Sequence, residues 1–103
     1  MKVVWSPLAE QRALEAVSAI AADRPQAAVA WLAELLARVA SLDRYAKRGR
    51  IVPEIGKATH RQVFHYPYRI IYRVEQERIL IATVVHGSRL LEPVIAAIEG
   101  AHG

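Results

Sequence analysis

The feature that most constrains the fold is a run of apolar residues at helical spacing between positions 25 and 42. Such a stripe occupies one face of an α-helix, and that face must be buried against another element. The spacing predicts that Trp31 is a core residue, and the functional alternative is a stacking platform or partner anchor. The members of the stripe recur at steps of three and four: Ala28, Trp31, Leu32, Leu35, Leu36, Val39 and Leu42.

A second helix precedes this one. The short apolar segment Met1–Trp5 is typical of a strand, and Ser6 followed by Pro7 is a helix start, because serine caps free amides and proline suits the first helical position. Pro25 cannot lie inside a helix, so it separates the first helix from the second. Two helices joined by so short a break predict an antiparallel hairpin.

The second half of the chain has the composition of strands. Residues 43–60 contain glycine and proline without a sustained period, which indicates a loop with a short strand near Ile51 and Val52. We therefore predict one α+β domain over residues 1–103: an N-terminal strand, then an antiparallel two-helix hairpin packed on one face of a small antiparallel sheet, with residues 88–103 as a tail or short helix. The predicted long strands are rich in Val, Ile, Tyr and Phe and span Gln62–Tyr66, Tyr68–Glu75 and Arg78–His86.

The link between the last two strands predicts their register. If two residues form the loop, Glu75 pairs with Arg78, and every later pair keeps that register. Strand alternation then places Arg69 and Arg73 on the sheet face opposite the helices, with His86 on the same face and diagonal to Arg69. These residues would form one exposed constellation.

Positive charge is concentrated in one segment. The formal charge is +4, and residues 44–61 hold six basic residues and a single acid, Glu54. Such a cluster is typical of a phosphate-binding surface, and the alternative is an ordinary solvated loop. The candidate nucleic-acid-binding residues are Lys47, Arg48, Arg50, Lys57, Arg61, Arg73 and Arg89.

Several function classes are disfavoured by what the sequence lacks. It has no cysteine, hence no thiolate zinc site, which fits a reducing cytoplasm. No apolar run approaches the roughly 20 residues that span a bilayer, and the N-terminus has no apolar signal-peptide stretch. His60, His65 and His102 show no metal-ligand spacing. We expect a cytoplasmic protein with no membrane partner, metal or cofactor.

Several segments of the chain are together typical of one known group, and they are Trp5-Ser6-Pro7, Pro25, Gly49 to Glu54, Tyr68 to Val74 and Ile81 to Arg89. With these segments the chain resembles the RelE/ParE superfamily, the toxin components of bacterial type II toxin–antitoxin systems. The resemblance implies the fold predicted above and a growth-inhibiting toxin held inactive by a cognate antitoxin. RelE-like members cleave messenger RNA on the ribosome, whereas ParE-like members poison DNA gyrase.

Cleavage of RNA by its own 2′-hydroxyl needs a base, a cation for the phosphate and an acid. By resemblance, Glu54 and Arg69 lie where nucleases of the superfamily carry a catalytic carboxylate and a phosphate-binding arginine, and His86 is the candidate proton carrier. The structural alternatives are a local ion pair for Glu54, a solvent-facing strand arginine for Arg69 and a polar strand end for His86. The sequence departs from nuclease relatives that end the last strand with a catalytic tyrosine, since no tyrosine follows Tyr72.

We therefore predict ribosome-dependent cleavage of messenger RNA without a metal. The main alternative is a non-enzymatic gyrase inhibitor, and a third possibility is an inactive binding module. The predicted antitoxin is a partly disordered chain with an acidic or amphipathic segment. It would cover an apolar groove beside the helices, the basic face, or both.

Overall fold

The structure, a computed structural model, describes residues 1–89 and 95–100. The described residues form three α-helices and five strands. They are β1 (Lys2–Trp5), α1 (Pro7–Ala21), α2 (Pro25–Ala40), β2 (Arg50–Ile51), β3 (His60–His65), β4 (Tyr68–Val74), β5 (Arg78–His86) and α3 (Ile95–Gly100), and a 3₁₀ turn, Ser41–Asp43, follows α2. This confirms the α+β class and the predicted order of elements.

The helical hairpin begins where the sequence predicts. The Ser6 hydroxyl oxygen accepts a hydrogen bond from the Ala9 amide at 3.0 Å, and Pro7 opens α1. The same hydroxyl donates to the carbonyl of Ala82 at 2.9 Å, so the cap also fastens α1 to β5. Pro25 opens α2.

The strands form one mixed sheet in the order β1-β5-β4-β3-β2. Neighbours are antiparallel except for β1, which pairs in parallel with β5. A parallel pair needs a long crossover connection, and α1 and α2 belong to that connection. The N-terminal strand thus adds one parallel pair to the edge of the antiparallel sheet that the sequence predicts.

The main core lies between the hairpin and the inner face of the sheet. Trp31 is only 9% exposed, donates its indole N–H to the Tyr66 carbonyl at 2.9 Å and packs edge-on against Tyr68. This confirms Trp31 as a core residue. Other buried members of the same cluster are Leu35, Val39, Leu42, Val63, Ile70, Tyr72, Ile79, Ile81 and Val84.

The β4–β5 register changes partway along the hairpin. Near the loop the pairs follow the prediction, with Val74 opposite Ile79 and Tyr72 opposite Ile81. Opposite the step from Ile71 to Tyr72, a bulge in β5 adds one residue, Ala82, so that Arg69 lies opposite Val85. The remaining shifted pairs are Ile71 with Thr83, Ile70 with Val84 and Tyr68 with His86.

The bulge reverses the predicted facing of the last residues of β5. Val84 belongs to the main core under the hairpin, whereas Val85 belongs to a second cluster on the outer face. His86 falls on the inner side, where its ring lies 5.3 Å from that of Tyr68. The prediction that His86 shares a face with Arg69 was therefore wrong, because an extra residue turns the strand over.

The outer sheet face also carries a small core of its own. α3 packs Ile98, which is fully buried, over Ile71, Ala82 and Val85. Val52, from the loop after β2, completes the buried part of this cluster. The outer face that the sequence predicts to be open is thus partly covered, and the part of the tail formed by residues 95–100 is helical.

Candidate functional site

Two of the three candidate catalytic residues, Glu54 and Arg69, meet on the outer face of β3 and β4. Arg69 and Glu54 form a bidentate ion pair. The two terminal nitrogens of the guanidinium lie 2.9 and 3.0 Å from the two carboxylate oxygens. The Nε of Arg69 also donates to the side-chain oxygen of Gln62 at 2.8 Å, and one terminal nitrogen donates to that same oxygen. Every nitrogen of the guanidinium is therefore engaged within the protein.

This pairing changes the chemistry available to both partners. The hydrogen bond from Arg69 holds the pKa of Glu54 below its ordinary value, and the attraction of the guanidinium adds to that effect, against a smaller opposing influence of burial. A carboxylate with a lowered pKa is a weaker base. The fork that would grip a phosphate is occupied by Glu54 itself, since carboxylate and phosphate use the same geometry.

A surface depression of about 390 Å³ surrounds the pair. Arg50 stands on its rim as an exposed cation, and Gly87 closes the side near β5. A side chain at position 87 would come within 3.0 Å of the Phe64 ring, so a glycine at this position avoids a close contact at the edge of the depression. The full lining is Arg50, Pro53, Glu54, Gln62, Phe64, Arg69 and Gly87.

His86 lies apart from this depression. It is exposed at the end of β5, and its Nδ1 accepts a hydrogen bond from the Ser88 amide at 3.1 Å. The Ser88 hydroxyl lies 2.7 Å from the same nitrogen. The structure thus joins Glu54 with Arg69 and does not bring His86 to them.

Two of the predicted nucleic-acid-binding cations are used to hold α3. Arg73, with a side chain 17% exposed, donates to the carbonyls of Ile98 and Glu99 at 3.2 and 3.1 Å and pairs with Glu75. A cation at a helix C-terminus is favourable because the last carbonyls carry partial negative charge. Lys57 pairs with the Glu99 carboxylate at 3.3 Å. The prediction that Arg73 is exposed to solvent on the sheet was wrong, because the chain's own C-terminal helix covers it.

Other predicted cations support the segment that contains them. Arg61 donates to the carbonyls of Ala58 and Gly49, at 2.9 and 3.0 Å. The guanidinium carbon of Arg48 lies 4.9 Å from the centre of the Tyr45 ring. Arg89 lies near Glu15 and contributes to the lowered pKa of that carboxyl, whose main cause is its hydrogen bond with Arg12.

Two cations remain outward-facing. Lys47 and Arg50 are exposed, and their side chains make no hydrogen bond or ion pair within residues 1–89 and 95–100. Lys47 lies in the loop before β2, whereas Arg50 is the first residue of β2 and lines the depression around Arg69 and Glu54.

Two residues that sequence reasoning did not single out organise this region. Gln62 holds Arg69 as described above. Tyr72 is fully buried, and its hydroxyl donates to the Ala46 carbonyl at 2.7 Å and accepts from the Gly49 amide at 2.9 Å. Burial raises the pKa of Tyr72. A tyrosine at an inward position of an otherwise apolar strand was the available signal, because a buried hydroxyl needs a partner.

An apolar groove of about 320 Å³ lies between α1 and α2, beside Trp5 of β1. Leu14 of α1 and Leu36 of α2 border it and are 65% and 50% exposed. Large apolar side chains gathered around a groove indicate a surface for a protein partner. Trp5, Ala13 and Leu32 contribute the remaining apolar lining.

The part of the chain that the structure describes offers neither a candidate metal site nor a candidate membrane span. Residues 1–89 and 95–100 contain no group of three or more metal-ligating side chains that could hold an ion. Within the same residues, no helix is both long enough and apolar enough to cross a bilayer.

Comparison with known proteins adds two findings. A family model described as the ParE toxin of the type II toxin–antitoxin system parDE matches residues 3–91. A solved structure titled as the chromosomal ParDE toxin–antitoxin system from P. aeruginosa has the same fold, with a TM-score of 0.70 and 18% identity. The match covers 84% of this chain and 95% of that one. No match to this chain is found among curated protein sequences.

Proposed function

The chain belongs to the ParE toxin family of type II toxin–antitoxin systems, and from that premise we propose that it arrests growth by binding DNA gyrase rather than by cleaving messenger RNA. The observation that carries this choice is the closed Arg69–Glu54–Gln62 arrangement. It leaves neither an open phosphate fork nor a base of ordinary strength.

A nuclease would need three groups around one phosphate. Arg69 is the cation nominated to hold the phosphate, and the Glu54 carboxylate neutralises it. His86 lies on the inner side of the sheet beside Tyr68. The groups nominated for base, clamp and acid therefore do not converge. A toxin that acts by binding needs no such convergence, and in it Glu54 and Arg69 fix the loop after β2 to the sheet.

A toxin of this family has a cognate antitoxin. We propose that the antitoxin lays an amphipathic helix along the apolar groove between α1 and α2. The exposed leucines at positions 14 and 36 lie across that groove at its two helical walls. An apolar helical face would bury them, which is the usual way in which a helix binds in a groove.

The target is tested by adding the purified toxin to two reactions. One is DNA supercoiling by gyrase, and the other is cell-free translation with the message ends mapped afterwards. We expect inhibited supercoiling with stabilised gyrase-dependent DNA breaks, while translation continues on intact messages. Cleaved messages with unaffected supercoiling would refute gyrase as the target and restore the nuclease interpretation. Neither effect would point to an inactive binding module.

The groove is tested with charged substitutions. Leu14→Glu and Leu36→Glu should weaken copurification with the antitoxin co-expressed from the neighbouring reading frame, because each places a carboxylate against an apolar helix face. Ala30→Glu provides the matched control, since Ala30 is an exposed position of α2 outside the groove. Equal retention of the antitoxin by all three variants would show that the groove is not its docking surface.

A further inference from the structure

The segment Arg44–Arg50, called the basic loop below, has an unusual charge content. Four of its seven residues are cationic, and none is acidic. The carboxylate that follows it, Glu54, is already paired with Arg69. Asp43, which directly precedes the segment, makes no ion pair with it, so within the described residues no carboxylate is paired with these four cations.

The basic loop is held from beneath by buried contacts. The hydroxyl of Tyr72 bonds to the Ala46 carbonyl and the Gly49 amide. Arg61 adds a bond to the Gly49 carbonyl at 3.0 Å. A side chain at position 49 would come within 2.5 Å of the Tyr72 hydroxyl, so the backbone lies directly on that tyrosine. The backbone of the basic loop is therefore held in one position on the domain.

Its charged ends face outward. Arg44, Lys47 and Arg50 are exposed, and their side chains make no hydrogen bond or ion pair within residues 1–89 and 95–100. Arg48 is exposed too, and it lies over the ring of Tyr45, which is 54% exposed. Residues 44–48 line an open depression of about 600 Å³.

We infer that the basic loop binds the phosphodiester backbone of a nucleic acid. Exposed arginines and lysines on a fixed backbone are what phosphate contacts require, and the face of the Tyr45 ring that Arg48 does not cover offers a surface to a sugar or base. Protein–protein interfaces also use Arg and Tyr, but the loop carries no large aliphatic side chain to form the apolar centre that such interfaces bury. The inference does not rest on gyrase as the target, because the toxin would bind nucleic acid by itself.

The experiment measures fluorescence anisotropy of labelled duplex DNA and labelled single-stranded RNA as the wild-type toxin is added, across a salt series. If four phosphates are neutralised, raising salt from about 50 to about 200 mM should weaken binding to duplex DNA by roughly 150-fold. Unlabelled polyglutamate serves as a competitor of similar charge and different chemistry.

Two variants with the same change in net charge make the test specific. Lys47→Ala/Arg50→Ala removes two cations from the basic loop, whereas Arg24→Glu reverses one charge at the other end of α2. We expect the loop variant to bind more weakly and to lose only about tenfold over the same salt range, as expected for roughly two remaining contacts. Arg24→Glu should bind like the wild type.

Tyr72→Phe tests whether the position of the loop matters. It leaves all charges in place and removes the hydroxyl that holds the backbone. We expect weaker binding from a domain whose circular dichroism shows that it is still folded. If Tyr72→Phe does not remain folded, the comparison of the two charge variants decides the inference without it.

Binding of either nucleic acid through the loop supports the inference, and the stronger of the two identifies whether DNA or RNA is the natural ligand. Four outcomes would overturn it. They are no binding at low salt, equal weakening by Arg24→Glu and the loop variant, tighter binding of polyglutamate than of both nucleic acids, and wild-type affinity in a folded Tyr72→Phe. The third of these would identify an acidic protein as the partner.

Discussion

Replacing Glu54 by alanine removes the carboxylate that closes the Arg69 fork. Both charge-assisted hydrogen bonds disappear, and Arg69 keeps only Gln62. If the pair is structural, the domain loses stability and the toxin keeps its activity. If Glu54 is a catalytic base, activity disappears and stability changes little.

The magnitude follows from exposure. The side chain of Arg69 is 12% exposed and that of Glu54 is 32% exposed, so the pair lies between a surface and a buried ion pair. Exposed pairs contribute up to about 1 kcal/mol, and breaking a fully buried one costs about 3–5 kcal/mol. We expect a loss of about 1–2 kcal/mol, which lowers the Tm of a domain of this size by roughly 5–10 °C.

The effect depends on pH with a defined sign. The pKa of Glu54 in the folded protein is lowered from an ordinary 4.5, chiefly by the hydrogen bond from Arg69. The unfolded chain therefore takes up a proton first as pH falls. The ion pair stabilises the fold fully when the pH is above the ordinary pKa of Glu54. This stabilisation disappears as the pH falls through the lower pKa that Glu54 has in the folded protein. The difference between wild type and Glu54→Ala should be constant at neutral pH and vanish in acid.

The assay is urea unfolding at several pH values, together with gyrase inhibition by the same preparations. Glu77→Ala is the control, because Glu77 is an exposed carboxylate in the β4–β5 turn with no partner within the described residues. A double-mutant cycle with Arg69→Ala isolates the coupling between the two side chains. Loss of toxicity at unchanged stability would refute the structural role and support general-base catalysis.

Three further predictions test the fold around the site. Trp31→Phe deletes the donor to the Tyr66 carbonyl and leaves that acceptor without its partner, so urea unfolding should show a loss of about 1–3 kcal/mol. Gly49→Ala drives a methyl group into the Tyr72 hydroxyl; crowding of this kind costs about 1–3 kcal/mol, and an unchanged Tm would contradict the packing. Burial lowers the pKa of His60 below its ordinary 6.5. Stability should therefore fall as pH drops below that ordinary value, and His60→Asn should remove this part of the pH dependence in parallel unfolding curves.

Local signals were sufficient for most of the fold. The Ser6 cap, the proline at the start of each hairpin helix and the 3.6-residue period fixed the positions of α1 and α2, because these features act within a few residues of one another. The composition of the strands predicted the bounds of β4 and β5 closely, whereas the bulge in β5 has no local signal. The parallel pairing of β1 with β5 depends on contacts across most of the chain, and no local pattern indicates it.

The site was less predictable, since it depends on which side chain reaches which partner. The resemblance nominates Glu54 and Arg69 as a catalytic carboxylate and a phosphate-binding arginine, and the structure joins the two in an ion pair. The sequence did not predict that Gln62 would complete the ring of acceptors or that α3 would cover Arg73. Alternation places an arginine on a face, but it does not say whether that face is later covered.

The bulge in β5 has a consequence for transferring roles between relatives. A single extra residue in a strand moves every side chain after it to the other face of the sheet. Two chains can therefore have the same residues at the same spacing and place them on opposite faces. A sequence alignment matches positions along the chain, whereas a catalytic site requires that its side chains lie on the same face of the sheet. For this toxin fold, the face on which a terminal histidine of the last strand lies is therefore a better guide to whether it can join the arginine than its presence in the sequence.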